Sequence, residues 1–284
     1  MEALATTRRR WAASTTAATA LRHLVLAVLS LLMAVPFLWM VLTALKSRGE
    51  VEVMPPTLLP EAPQWGNFAE AWSMAPFLRF FLNSAGVAGA VTLGVVFTAL
   101  LAGYAFGQMR FPGKQAIFIL YLATMMIPFE VIMIPNFLLI NRFGWYDTYA
   151  ALAVPWMASV FAVFLVTQFF RSLPYEYFEA AQLDGCGHLQ YLWRVGRPLA
   201  LPAMATAGLF SFLGSWNALL WPLLVTQSEE MRTIEIGLAV FMQEEGAQFH
   251  LLMAASTLAM APVVALFLAA QRTFIEGIAT GLKG

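Results

Sequence analysis

The chain has 284 residues, of which 60% are hydrophobic and 11% are charged, and its formal net charge is +0. A soluble domain needs more charge than that to cover its surface, so the composition excludes an ordinary water-soluble protein. The zero net charge gives no basis for a nucleic-acid partner. The one cysteine, Cys186, excludes an intrachain disulfide and a multi-cysteine metal site, and the three histidines show no metal-binding spacing.

Six apolar stretches follow one another along the chain. A bilayer core about 30 Å thick needs roughly 20 apolar residues as a helix, and each stretch reaches that length. They predict an all-α integral membrane protein with six transmembrane helices. The predicted spans are about Leu24–Leu45, Phe81–Gln108, Ala116–Ile140, Thr148–Phe170, Leu201–Val225 and Leu251–Ala270.

The first stretch is predicted to be a retained membrane helix that follows a cytoplasmic tail, residues 1–23. The arginine run at residues 8–10 resembles the basic start of a signal peptide. The apolar run is too long for one, however, and Lys46-Ser47-Arg48 stands in place of a small-residue cleavage site. Residues 24–284 are therefore predicted to be the membrane domain.

The distribution of lysine and arginine predicts the orientation, because these residues concentrate in cytoplasmic loops. With the amino terminus inside, eleven of the sixteen are cytoplasmic and five lie outside. The cytoplasmic group is Arg8, Arg9, Arg10, Arg22, Arg110, Lys114, Arg171, Arg194, Arg197, Arg272 and Lys283, and the outer group is Lys46, Arg48, Arg79, Arg142 and Arg232. Both termini are thus predicted to be cytoplasmic.

The outer loop after the first span, about Lys46–Arg79, carries Pro55, Pro56, Pro60 and Pro63, which argue against a regular helix through its middle. Its segment Gly66–Trp72 is predicted to form a short helix on the membrane surface. The loop is either a solvated connector or a contact surface for an external partner, and the sequence leaves both interpretations open.

A polar segment, about residues 172–200, separates the fourth and fifth spans. Glu176 and Glu179 favour the first turns of a helix, where carboxylates interact with the positive end of the helix dipole. Asp184-Gly185 is expected to end that helix, because glycine accepts a positive φ at low cost. A second short helix is predicted over His188–Val195, ended by Gly196 and Pro198.

The spaced pattern in this segment resembles the EAA loop of ABC importer permeases. Glu179-Ala180-Ala181 is followed after two residues by Asp184-Gly185, and Pro198 comes thirteen residues after that glycine. More narrowly, the chain is similar over nearly its whole length to the inner-membrane permease of maltose-type carbohydrate importers. Further counterparts in that group are Lys46, Arg110-Phe111-Pro112-Gly113-Lys114, Met126-Ile127-Pro128, the stretch from Trp216-Asn217 to Trp221-Pro222, and Gln271-Arg272.

The resemblance implies a type I ABC importer permease fold with a cytoplasmic coupling helix that enters a cleft on the ATPase. Residues 172–200 are called the coupling loop from here on. The residues implied in coupling are Glu179, Ala180, Ala181, Asp184 and Gly185 in the helix and its turn, with Pro198 and Pro202 at the entry into the fifth span.

The resemblance also implies the partners of the chain and its place in the cell. These partners are a second permease subunit that completes a heterodimer, two ATP-binding subunits and an extracytoplasmic solute-binding protein. All would assemble at the cytoplasmic membrane of a bacterium or archaeon. ATP and Mg would bind the partner ATPase. The chain has no Gly-x-x-x-x-Gly-Lys-Ser/Thr motif, so it is predicted to be a transport subunit without a cofactor of its own rather than an enzyme.

The expected function is to form half of the translocation path for a sugar or sugar-like solute. Glycerol phosphate esters and polyols are alternative solutes, because related permeases carry them. A membrane-embedded enzyme and a solitary secondary transporter are alternatives of a different class. The latter usually shows internal repeats and more intramembrane charges than this chain has.

Glu130 is the only acid within the predicted spans, where a charged side chain costs roughly 2.5–3.5 kcal/mol on insertion scales. It lies between Pro128 and Pro135, where a kink is expected. It is interpreted either as a residue of the substrate path or as a helix-contact residue.

Other polar and aromatic residues in the spans are further candidates for the path. Asn217 offers both donors and an acceptor to a hydroxyl-rich ligand, and the face of Trp216 can stack on a sugar. Asn136 and Asn83-Ser84 are weaker candidates of the same kind. Trp221 is instead expected in the aromatic belt at the membrane interface. The glycines of the second span, Gly86, Gly89 and Gly94, are expected to permit close helix packing.

Overall fold

The computed structural model describes residues 2–242 and 248–281, and within those ranges the regular structure is helical. The helices are α1 (Glu2–Ala44), α2 (Arg48–Val51), α3 (Gly66–Ser73), α4 (Phe77–Gly107), α5 (Lys114–Ala123), α6 (Phe129–Arg142), α7 (Tyr149–Ala153), α8 (Val160–Ser172), α9 (Glu176–Leu183), α10 (His188–Tyr191), α11 (Arg197–Trp216), α12 (Leu220–Val225), α13 (Ile234–Leu238) and α14 (Phe249–Gly281). Lys283, one of the residues predicted to be cytoplasmic, lies outside the described ranges.

Six apolar segments of the described chain are long enough to cross a membrane, if one bent pair is counted as a single span. Five of them are Thr19–Ala44, Phe77–Gly107, Tyr149–Ser172, His188–Trp216 and Phe249–Ala269, and the sixth joins Lys114–Met126 to Phe129–Arg142 at an angle of 97°. The six predicted spans are therefore confirmed as segments, with the third one bent.

The bend in the third span lies at Pro128. A short 3-10 turn, Thr124–Met126, ends α5, and Ile127 is extended. The residue before a proline disfavours the helical conformation, so the helix stops there and a new one starts at Phe129. Pro135 lies inside α6. The predicted kink is therefore sharper than expected and lies at the first of the two prolines.

The fifth span differs from its prediction at both ends. The helix predicted to end at Gly196 and Pro198 instead continues from α10 through a π-helical turn, Leu192–Gly196, into α11. Pro198 lies in the first turn of α11, where a missing N–H is tolerated. Gly196 serves close packing, since a Cβ there would lie 3.2 Å from the Phe170 ring.

The prediction of one helix over Leu201–Val225 is also wrong, because α11 ends at Trp216 and α12 begins at Leu220. Pro222 explains the break. In a continuous helix its ring would clash with the carbonyl of Ala218, and it has no N–H to bond that carbonyl. The break places Asn217, Ala218 and Leu219 in an irregular turn.

The described chain divides into two compact units, and the larger comprises Trp72–Gln243 and Ala259–Gly284. Its core lies where α4, α8 and α11 pack together. Gly94 and Gly103 permit the close approach, because a Cβ would lie 2.5 Å from Met157 Cβ and 2.6 Å from Val166 Cγ1. At Gly86 and Gly89 a Cβ would meet nothing within 4 Å, so the packing role predicted for these two is wrong within this chain.

The smaller unit comprises Met1–Ala71 and Glu244–Leu258. Its loop after α1 is ordered by side-chain caps: Ser47 and Glu50 form a capping box on α2. The buried Asn67 amide donates to the carbonyls of Ala44 and Lys46, both at 2.8 Å. The predicted short helix over Gly66–Trp72 is confirmed as α3.

Candidate functional site

The coupling loop begins with α9, an amphipathic helix of eight residues. Glu176 and Glu179 lie in its first turn, where the helix dipole favours negative charge. Phe178 and Ala181 are buried, whereas Glu179 and Ala180 are exposed. The outward face therefore carries one carboxylate beside a small side chain, and of the predicted coupling residues only Ala181 faces inward.

A tight turn ends α9. The amide of Cys186 donates to the Ala181 carbonyl and that of Gly185 to the Gln182 carbonyl, each at 2.9 Å, which is a Schellman motif. Gly185 has φ +78°, and a Cβ there would meet nothing within 4 Å. The predicted role of Gly185 as the residue that ends the helix is confirmed, and it rests on backbone conformation alone.

An aromatic cluster anchors this turn to the membrane helices. The Phe178 ring stacks on His188 at 4.9 Å and meets the edge of Tyr191 at 5.1 Å. Tyr104 of α4 shares a hydrogen bond of 2.7 Å between its hydroxyl and His188 Nδ1, and its ring packs against Phe170 of α8. A force on α9 therefore reaches α4 and α8 through side chains in direct contact.

Apolar side chains project from the anchored turn, and the sequence reasoning missed them. Leu183 is 90% exposed and Leu189 is 68% exposed, and Tyr177 and Trp193 are exposed as well. An exposed apolar cluster rimmed by polar residues marks an interaction surface. The signal in the sequence was the position of Leu183 directly before Asp184-Gly185, where a solvated turn would carry a polar residue.

The two prolines of the predicted coupling set lie apart from this turn. Pro198 is exposed in the first turn of α11, and Pro202 is half-buried inside the same helix. The structure thus brings together Glu179, Ala180, Asp184 and Gly185 on one exposed surface, and it places the prolines along the helix that leads away from it.

A cavity of about 680 Å³ lies within the larger unit. Its walls come from α4, α8, α11 and α12, with the break at residues 217–219 contributing to one side. The described residues that line it include five aromatic side chains and no charged one. Its polar lining is Ser84, Ser159, Ser211, Ser215, Asn217 and Thr233, and its aromatic lining is Phe129, Trp156, Phe161, Phe210 and Trp221.

Among the predicted path residues, Asn217 and the weaker candidate Ser84 line this cavity. The backbone N–H of Asn217 donates to the Leu213 carbonyl at 3.0 Å, and the side chain of Asn217 is exposed. Trp216 is buried against Phe212 and Phe81. Glu130 is exposed in the first turn of α6 and Asn136 is half-buried farther along it, and neither lines the cavity.

Trp221 is a cavity residue that the sequence interpretation assigned to the lipid interface. It is only 4% exposed, and its indole Nε1 donates to the Ala151 carbonyl at 2.9 Å. Its ring meets that of Trp156 edge-on at 5.5 Å. The belt assignment is therefore wrong, because both the ring and its polar atom are satisfied inside the protein.

The segment that follows α12 is hydrogen-bonded to α4 and contributes Thr233 to the cavity lining. Asn83 donates to the carbonyls of Glu230 and Arg232 at 2.7 and 2.8 Å, and it accepts from the Tyr149 hydroxyl at 2.7 Å. Ser84 Oγ accepts from the amide of Ile234 at 2.8 Å. Of the weaker candidates, Asn83 thus holds this segment in place, whereas Ser84 also lines the cavity.

Asp147 makes a second link to the segment that follows α12. Its carboxylate accepts from the amides of Gln227 and Ser228 at 2.9 and 3.1 Å, and its own amide donates to the Val225 carbonyl. The amide hydrogen bonds, chiefly that of Gln227, hold the pKa of Asp147 below its usual value. Burial raises the pKa of Glu235 in the nearby α13.

In the described ranges no three acidic, histidine or cysteine side chains are grouped as metal ligands. The side chains that line the cavity can offer hydrogen bonds and ring stacking to a ligand.

Comparison with known proteins gives consistent matches. A family model described as the inner membrane component of binding-protein-dependent transport systems matches residues 94–279. The sn-glycerol-3-phosphate transport system permease protein UgpE of Yersinia enterocolitica is 34% identical over 92% of this chain and 96% of its own length. The diacetylchitobiose uptake system permease protein NgcG of Streptomyces coelicolor is 30% identical over 92% of this chain and 88% of its own.

A solved structure has the same fold. It is a chain of a bacterial ABC transporter involved in the import of the acidic polysaccharide alginate, and it superposes with a TM-score of 0.78. The match covers 89% of this chain and 95% of that chain at 22% sequence identity.

Proposed function

Since the chain belongs to the family of inner-membrane components of binding-protein-dependent transport systems, we propose that its coupling loop docks on a separate ATPase and that its cavity forms half of the path for a neutral sugar. Family membership makes the chain a multi-pass permease subunit of an ATP-driven importer in the inner membrane, and not an enzyme. The predicted fold class and the predicted transport function are confirmed at this level.

The exposed turn at Leu183 and Gly185 is the observation that carries the docking proposal. It combines a 90% exposed leucine with Glu179, Ala180 and Asp184 on a helix that the aromatic cluster fixes in place. A fixed apolar tip with a polar rim suits insertion into a cleft, because little conformational freedom is lost when it binds. Movement of the ATPase would then be transmitted to α4 and α8.

The assembly that we propose has four kinds of component. A second permease subunit completes the path, two ATP-binding subunits hold ATP and Mg, and an extracytoplasmic solute-binding protein delivers the solute. The coupling loop and both termini lie in the cytoplasm, in keeping with the distribution of lysine and arginine. ATP binding drives the two permeases between inward-facing and outward-facing states.

The uncharged cavity favours a neutral solute. Serine and threonine hydroxyls and the Asn217 amide can exchange hydrogen bonds with sugar hydroxyls, and the aromatic walls can cover the C–H faces of a sugar ring. Ala218, beside Asn217, lines the same cavity and adds no charge to it. Glu130 and Asn136 would meet the solute only from a face that the second permease completes.

A glycerol phosphate ester is the second candidate solute, because UgpE, a relative at 34% identity, is named for sn-glycerol-3-phosphate transport. A buried phosphate needs a compensating cation. No described residue that lines the cavity supplies one. The uncharged lining therefore favours the sugar over the phosphate ester.

The docking proposal is tested with two charge reversals in the complete transporter, reconstituted in vesicles with its binding protein. Glu179→Lys is expected to lower solute-stimulated ATP hydrolysis and uptake more than about tenfold, since a misplaced charge in a docked interface costs several kcal/mol. Glu229→Lys is the matched control, because Glu229 is also exposed but lies beyond α12. Equal loss in both variants, or loss in neither, would refute the docking role.

The solute class is tested in the same vesicles. Uptake of labelled neutral oligosaccharides is expected to exceed that of glycerol 3-phosphate, and Asn217→Leu is expected to lower uptake while the complex stays intact. Preferential uptake of the phosphate ester would overturn the sugar assignment and leave the docking result unaffected.

A further inference from the structure

Three cations meet at the connection between α4 and α5, in a motif that the transport function does not use. The connection reads Arg110-Phe111-Pro112-Gly113-Lys114. Lys114 lies within electrostatic range of both Arg110 and Arg171, the latter in the last turn of α8. We refer to Arg110, Lys114 and Arg171 as the basic triad.

Local contacts hold each member of the triad in place. The Arg110 guanidinium lies 4.8 Å from the centroid of the Tyr175 ring, and that of Arg171 lies 4.7 Å from the Phe118 ring. Lys114 Nζ donates to the Met109 carbonyl at 2.8 Å. Aromatic faces and carbonyls orient the cations without neutralising them.

The triad has no carboxylate partner among the side chains that the structure describes. An ion pair that the structure does show, between Arg48 and Glu52, lies on another helix. Three like charges fixed close together repel one another, so an anion at this position relieves the repulsion. The geometry thus points to an anionic ligand.

The position of the triad identifies the kind of anion. It lies where the spans of α4 and α8 end and that of α5 begins, which is the boundary between the apolar core and the headgroup region. Along α5, Ile117 follows Lys114 by three residues and Leu120 follows Ile117 by three, so each side chain neighbours the one before it on the helix surface. Ile117 is 49% exposed and Leu120 is 69% exposed.

We propose that the basic triad binds the phosphate of an anionic phospholipid, with an acyl chain lying along the Ile117 and Leu120 stripe of α5. Basic pockets between membrane helices suit such headgroups. An acidic segment of a partner protein could pair with the cations, but it would make no apolar contact with the exposed Ile117 and Leu120 side chains. The leaflet follows from the orientation in the proposed function, and the site itself does not depend on it.

The lipid site would also affect coupling. Tyr175, on which Arg110 stacks, is the residue immediately before α9, and its ring packs on Phe178 at 5.5 Å. A bound headgroup fixes Arg110 and, through it, the start of the coupling helix. Solute-stimulated ATP hydrolysis is therefore expected to be higher in bilayers that contain the anionic lipid.

The test measures lipid binding to the tagged chain extracted with whatever partners accompany it. Phosphatidylglycerol and phosphatidylethanolamine are titrated onto the delipidated complex and counted by native mass spectrometry. Arg110→Gln with Arg171→Gln is expected to weaken phosphatidylglycerol binding about 25-fold, because each neutralised cation near the surface changes affinity about fivefold. Lys114 is left intact, since its hydrogen bond to Met109 also supports the fold.

Two control variants distinguish a loss of charge at the basic triad from misfolding and from a general loss of positive charge. Arg194→Gln with Arg197→Gln removes two exposed cations of the coupling loop, one of which also stacks on an aromatic ring, and is expected to leave phosphatidylglycerol binding within about twofold. Arg110→Lys with Arg171→Lys keeps the charge and is expected to retain most of the binding.

Unchanged phosphatidylglycerol binding in the Arg110→Gln and Arg171→Gln variant would overturn the lipid site. Loss of the ATPase subunit with lipid binding intact would also overturn it, and would assign the triad to a protein partner. If no ATPase accompanies the unmutated chain, the proposed function fails, yet the lipid measurement still has a definite result.

Discussion

Gly185 adopts a conformation that other residues reach only at a cost. Its φ of +78° lies in the left-handed region, and a Cβ added at this position would meet no atom within 4 Å. The same motif recurs at Gly144, which has φ +69°, equally open surroundings and the same pair of hydrogen bonds at the end of α6. The chain therefore contains two turns of like geometry, of which one lies in the coupling loop.

Gly185→Ala and Gly144→Ala are expected to cost about 1 kcal/mol each, from backbone strain alone. The apparent unfolding temperatures of the two variants should therefore fall by similar amounts. Only Gly185→Ala is expected to lower uptake as well, and Gly185→Pro should abolish it, because proline fixes φ near −65° and removes the amide that bonds Gln182. An equal effect of the two alanine variants on uptake would show that the Gly185 turn has no special role.

Asp147 has a charge-dependent role at the opposite end of the spans. The pKa of Asp147 is lower in the folded chain than in the unfolded chain, so its carboxylate stabilises the folded state at pH values above the ordinary pKa of about 3.9. This stabilisation is lost as the pH falls through the pKa of the folded state. Asparagine tolerates the φ of +58° at this position and removes the charge.

Asp147→Asn is therefore expected to lower the unfolding temperature at about pH 7, and the difference from the unmutated chain should shrink toward about pH 3. Thermal unfolding in detergent at several pH values measures it. A difference that stays constant with pH would show that the amide bonds to Asp147 do not depend on its charge.

At the scale of elements, local sequence predicted the existence of the spans because apolar length is a local property. It also predicted the end of α9, since Gly185 acts through its own backbone. It failed at Gly196, which resembles a helix end in sequence but serves close contact with Phe170. The break before α12 was readable in principle from Pro222, and it was missed because the apolar run continues through it.

The packing of α4 on α8 supports an element-scale prediction with an internal control. A Cβ at Gly103 would lie 2.6 Å from Val166 Cγ1 and 3.2 Å from the Thr167 amide nitrogen, whereas Gly89 of the same helix is open. Gly103→Ala is expected to destabilise the chain by about 1–3 kcal/mol. Gly89→Ala should be neutral or stabilising by up to about 1 kcal/mol, because alanine restricts the unfolded chain.

The two substitutions are compared by thermal unfolding of the purified chain in the same detergent. Their difference reports the close contact itself, since helix propensity changes equally in both. A similar shift for both variants would mean that α4 and α8 do not approach as closely as described.

At the scale of the molecule, the cavity was harder to predict from the sequence than the coupling loop. The loop is one continuous segment, so its spaced motif carried the information. The cavity is lined by residues from several helices, and which faces meet depends on tertiary packing. Asn217 was predicted because it is polar in an apolar span. The burial of Trp221 was not predicted, because the acceptor that satisfies its indole N–H is the carbonyl of Ala151, seventy positions away in the sequence.

The central claim is that this chain is a permease subunit driven through the coupling loop by a separate ATPase. The most direct measurement is a co-purification of the tagged chain from its own membranes in mild detergent, with Glu179→Lys and Glu229→Lys in parallel. A second permease and an ATP-binding subunit are expected with the unmutated chain and with Glu229→Lys, whereas Glu179→Lys is expected to lose the ATP-binding subunit. Recovery of the intact, folded chain alone, or an ATP-binding subunit held equally by all three, would contradict the central claim.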